Sequence, residues 1–70
     1  SVDKSDPVVL AQWSKDLRAK VETEGVWQCE AYRWILELCD FADSAIGKLD
    51  TAGACRALDE AAYHWYRCNK

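Results

Sequence analysis

The chain has no methionine, one proline, one histidine and only three glycines among its 70 residues. So few turn-forming residues argue against an all-β fold, whose short strands each need a tight turn. The lone His64 has no Ser or Cys nucleophile beside an evident base and orienting acid, which argues against nucleophilic catalysis. No glycine-rich loop is present to cradle a phosphate, and there is no Asn-X-Ser/Thr sequon. Basic residues run from Lys4 to Lys70 without clustering, and the formal charge is −3. That pattern disfavours a phosphate backbone or an anionic lipid surface as partner. No apolar run approaches the roughly 20 residues needed to cross a bilayer. The expectation is a protein with no catalytic residues, no metal and no cofactor.

What is abundant is apolar surface and sulfur. Half the residues are hydrophobic, four are tryptophan and four are cysteine. Seventy residues make one domain, below the size at which a hydrophobic core is comfortably stable without a staple. An even number of cysteines in so short a chain reads as a disulfide framework formed in an oxidising compartment. No two of them have the close spacing of a zinc knuckle, and a start without methionine fits a mature form whose signal peptide has been removed. A secreted or periplasmic location is therefore expected.

The periodicity predicts three amphipathic helices over about 7–24, 26–46 and 51–68, with 1–6 a flexible lead-in. Asp6 can cap the first and Pro7 suits its first position, where a missing N–H costs nothing. Leu10, Trp13, Leu17 and Val21 then fall on one stripe, and Gly25 is the natural stop. The second helix carries two apolar stripes. One holds Cys29, Tyr32, Ile35, Leu36, Cys39, Ala42 and Ile46; the other holds Trp27, Trp34, Leu38, Phe41 and Ala45. It is expected to be the central helix, covered on both sides, with Gly47 as its stop. Asp50 or Thr51 can cap the third helix, whose inner face is Cys55, Leu58, Ala61, Ala62 and Trp65. Short connections make successive helices antiparallel, giving an all-α three-helix bundle with the first and third helices on either side of the second.

On an antiparallel hairpin centred near Leu49, Cys29 lies opposite Cys68 and Cys39 is left with Cys55. The second pair is offset by about five residues, or roughly 7 Å at 1.5 Å per residue, which exceeds what a bridge tolerates between straight helices. The second helix would have to end early, near Asp40. The nested pairing Cys29–Cys68 and Cys39–Cys55 is expected, with the other two connectivities open. Nine residues separate Cys29 from Cys39, and Leu36 stands three before Cys39. In this the stretch resembles the twin CX9C hairpins of mitochondrial intermembrane-space proteins. The second pair departs from that pattern, with twelve residues between Cys55 and Cys68. The resemblance implies two helices stapled face to face and, as a third functional reading, an intermembrane-space assembly factor.

His64 and Cys68, four apart, could complete a zinc site with Cys29 and Cys39, but that leaves Cys55 unexplained. The carboxylate pairs Asp59-Glu60 and Asp40 with Asp43 read as solvated helix faces. Tyr63, His64, Tyr66, Arg67 and Arg56 form a candidate binding patch, rich in the residue types favoured at interface hot spots. Trp34 and Phe41 need helix one to cover them. If it does not, Trp34, Leu38 and Phe41 become an exposed apolar patch and a possible homodimer face. The leading expectation is an exported module that binds another protein: a secreted effector, toxin or signal, or a periplasmic inhibitor or immunity-type protein. The alternative is a carrier of a small apolar ligand between helices, which needs a continuous internal cavity.

Overall fold

Asp6 opens the first helix as its side chain predicts: its Oδ1 accepts the Val8 N–H at 2.9 Å, and its carbonyl accepts the Leu10 N–H at 3.0 Å. In the computed structural model, residues 4–24 and 30–68 are described. They form three packed helices, α1 (Pro7–Glu24), α2 (Ala31–Gly47) and α3 (Thr51–Cys68), and no strand occurs among them. The expected start of the second helix near Val26 lies in 25–29, outside the described residues. From Glu30 a turn leads directly into α2.

The close of α2 differs from the expected glycine stop. Gly47 is still helical and has a negative φ, with open space where a Cβ would stand. The residue that turns the chain is Leu49, at φ 60°. Its N–H donates to the Ile46 carbonyl at 2.9 Å, and the Asp50 N–H donates to the Ala45 carbonyl at 2.8 Å. These are the two bonds of a Schellman close, with leucine in the left-handed position that glycine usually fills. Asp50 then caps α3 through a 3.0 Å bond from the Gly53 N–H to its Oδ1. A side chain on Gly53 would run into that carboxylate.

The three helices share one core. α1 contributes Leu10, Ser14, Leu17 and Val21; α2 contributes Tyr32, Ile35, Cys39, Ala42 and Ala45; α3 contributes Ala54, Ala57, Leu58 and Ala61. Trp13 and Trp65 pack against this core half-buried, and the Trp65 ring stacks on Tyr32 at 5.7 Å between centroids. The largest interhelical face joins α2 to α3, and α1 touches both. This corrects the expected order of layers. The helices meet around a common axis, so α2 needs one buried arc and is not sandwiched. Small alanines on α3 allow that close approach, which is why Ala54 and Ala57 are buried where Cys55, Ala62 and Trp65 were expected to lead. Across the α1–α2 seam, the Arg18 guanidinium reaches Asp40 Oδ1 at 2.9 Å and Asp43 Oδ2 at 2.7 Å.

Candidate interaction surfaces and the free thiols

The one-arc geometry leaves Trp34 and Phe41 of the second apolar stripe in solvent, while Ala45 of the same stripe is buried. Trp34 and Phe41 are each 60% exposed, with Leu38 half-buried between them. The expectation that helix one covers Trp34 and Phe41 is therefore overturned, because α1 packs along the other flank of α2, where Arg18 meets Asp40 and Asp43. Positions 34, 38 and 41 follow steps of four and three, which keeps them on one side of the helix.

On the same side, a cleft of about 480 Å³ runs between α2 and α3, lined by Ala31, Trp34, Glu60, His64, Arg67 and Cys68. His64 Nε2 stands 3.9 Å from Glu60 Oε1, and the Arg67 guanidinium lies 5.7 Å over the Tyr63 ring. Tyr63 meets His64 edge-on, with ring centroids 5.8 Å apart. The candidate patch on α3 thus divides. His64 and Arg67 stand beside Trp34, and Tyr63 packs against both of them on the far side. Tyr66, although 72% exposed, belongs to a different groove between α1 and α3. Arg56 sits eleven residues before Arg67, roughly 16 Å away along the helix axis, in a shallow cleft with Thr51 and Cys55.

Among the described residues the free thiols are Cys39 and Cys55, so the expected Cys39–Cys55 bridge is not formed. The reason is register. α2 runs unbroken to Gly47 and does not end near Asp40, so the offset that forbids a bridge remains. The two sulfurs also have different surroundings. Cys39 is fully buried, and burial pushes its thiol up against the smaller opposing pull of the nearby Ser14 hydroxyl. The Cys55 thiol is also raised, first by desolvation and then by Asp59, whose Oδ2 lies 3.7 Å from its Sγ. Cys29, and with it the expected Cys29–Cys68 pairing, lies outside the described residues. Cys68 is not among the free thiols.

No group of three or more His, Cys, Asp or Glu among the described residues is placed to hold a metal ion. No helix of the described chain is long and apolar enough to cross a membrane. The clefts along the helix seams open to solvent. No protein-family model matches the chain, and no curated protein or solved structure is similar to it above chance.

Sequence reasoning missed two features here. Asp40 and Asp43, read as a solvated face, clamp Arg18; their i, i+3 spacing beside a buried stripe was the available signal. Lys4, read as part of a loose lead-in, reaches Asp59 Oδ1 at 3.4 Å and lies 5.5 Å over the Trp13 ring. Nothing in the local sequence announces that contact, which spans 55 positions.

Proposed function

We propose that this chain is a non-enzymatic exported module that binds another protein through the outer face of the α2–α3 hairpin. The observation that carries the reading is the exposure of Trp34 and Phe41 on a helix whose other arc is already closed. A soluble domain this small gains nothing in its own fold from two large aromatics in water. Such a patch, rimmed by polar groups, is the usual mark of an interface. Tyr63, His64 and Arg67 supply that rim, in residue types that carry interface energy well. The neighbouring cleft gives an anchor side chain somewhere to enter. A secreted effector, toxin or signal, or a periplasmic inhibitor, is the class of module this reading covers.

In this reading the durable element is a single bridge, Cys29–Cys68, at the open end of the hairpin. The two remaining thiols are compatible with an oxidising compartment because both are held protonated, and oxidation proceeds through the thiolate. Alkylation of the unfolded chain without reductant should label two cysteines, and with reductant all four. Four labels without reductant would remove the staple and the case for export. No labels would restore the Cys39–Cys55 bridge.

The binding face is tested by photo-cross-linking in cells of the source organism, with benzoylphenylalanine placed at Phe41 and, as control, at Val8, which is 74% exposed on α1. A discrete adduct from Phe41 alone is expected. An adduct of twice the chain mass would identify the partner as a second copy. A similar smear from both positions, or no adduct from Phe41, overturns the reading.

A further inference from the structure

The outer face of α2 is not the only place where the molecule presents recognition chemistry. Between α1 and α3 lies a groove of about 560 Å³ whose walls include the rings of Trp13 and Tyr66 over an Ala62 floor. Asp16 and Asp59 stand on its rim, one from each helix. The Gln12 side-chain amide donates to Asp16 Oδ1 at 2.7 Å and so holds that carboxylate in place. Aromatic faces and carboxylates in one groove are the two partners that a cationic side chain seeks: ring quadrupoles for its charge and oxygens for its N–H groups.

The molecule already demonstrates the fit. Lys4 Nζ lies 5.5 Å over the Trp13 centroid and 3.4 Å from Asp59 Oδ1. Its side chain remains 55% exposed, as does that of Asp59. Lys4 sits in a turn two residues before the Asp6 cap, outside any helix. A half-exposed ion pair is weakly held, and one ammonium cannot satisfy two carboxylates and two rings across a groove of this size. An arginine offers what Lys4 does not. Its plane stacks on an aromatic face while its fork of N–H groups meets a carboxylate in two places.

We propose that the α1–α3 groove is a receptor for a basic side chain, best an arginine, presented by a partner protein, and that Lys4 occupies the groove as an internal stand-in until the partner displaces it. The charge balance of the chain agrees, since a net charge of −3 favours approach of a basic segment. This site uses neither Trp34 nor Phe41, so it stands or falls apart from the face proposed above.

The test is an NMR titration of the labelled full chain with acetyl-Gly-Arg-Gly-amide, using the citrulline analogue as a neutral probe of the same shape. In the Lys4→Gln variant the arginine peptide should shift the Trp13 indole N–H and the Ala62 and Tyr66 amides. Binding should be about threefold tighter than to the parent chain, the gain expected if Lys4 fills the groove about two-thirds of the time. Lys20→Gln removes the same charge from exposed α1 surface and should leave the affinity unchanged. Adding Asp59→Asn to Lys4→Gln should abolish the shifts, with the amide spectrum reporting an intact fold. Equal gains from Lys4→Gln and Lys20→Gln, equal shifts from the citrulline peptide, or no shifts in Lys4→Gln would each overturn the proposal.

Discussion

The two stripes of α2 both carry large apolar side chains and differ in fate. Tyr32, Ile35, Cys39 and Ala42 are buried, while Trp34 and Phe41, only one or two positions away in sequence, are mostly in solvent. Hydropathy cannot separate them, because by that measure the exposed stripe is the richer in large side chains. What separates them is the number of neighbours a helix has and where those neighbours lie. In a bundle of three, both neighbours share one axis, so each helix buries a single arc somewhat wider than 100°. The alanines of α3 let it approach closely, and α1 fills the remaining groove with Leu10, Leu17 and Val21. A fourth helix would be needed to cover Trp34 and Phe41, and the described chain has none.

The comparison is broken most decisively by truncating one residue from each side. Ile35 is fully buried, so Ile35→Ala should cost about 2–5 kcal/mol, enough to lower the melting temperature by more than ten degrees in a domain of this size. Trp34→Ala should change stability by about 0.5 kcal/mol or less, although it removes the larger side chain. Urea unfolding of both variants at two protein concentrations checks this. If the two cost the same, and the parent's midpoint rises with concentration, the outer stripe is already buried against a second copy.

Much of the architecture was legible in the chain. Asp6-Pro7 and Asp50-Thr51 set the starts of α1 and α3 because caps and N1 prolines act locally, within one turn. Leu10, Leu17, Val21, Ile35, Cys39 and Leu58 were legible as core from period alone. What failed needed information from another helix. Ala57 is buried because α2 lies close, and no pattern within α3 distinguishes it from Ala62. The Cys39–Cys55 pairing depended on α2 ending early, and Leu49 in the left-handed region lets α2 continue instead. The candidate patch on α3 was legible as composition and not as a surface. Tyr63, His64 and Arg67 share a face at steps of one to four, while Tyr66 turns toward α1 and Arg56 lies about two to three turns nearer the start of α3. The α1–α3 groove was invisible, because Lys4, Trp13 and Asp59 come together only once the first and last helices touch.

A smaller effect sharpens the same contrast from the buried side. Ser14 lies between Leu10 and Leu17 at steps of four and three, so the helix carries it into the core whatever its polarity. It is 1% exposed, and its hydroxyl oxygen finds no partner of good geometry among the described residues, with only a weak contact to the Cys39 thiol. The nearby Cys39 thiol is too weak a donor to replace water. A buried hydroxyl without a partner carries a desolvation penalty of about 1–3 kcal/mol, and alanine is also the better helix former. Ser14→Ala should therefore stabilise the chain, by about 1 kcal/mol once the small loss of packing is subtracted, raising the melting temperature by several degrees. The same exchange at exposed Ser44, on the solvent side of α2, should yield only the helix-propensity difference of about 0.5 kcal/mol. Thermal unfolding of the two single variants decides the matter. If Ser14→Ala gains no more than Ser44→Ala, the Ser14 hydroxyl is satisfied in solution and the buried stripe of α1 has no polar flaw.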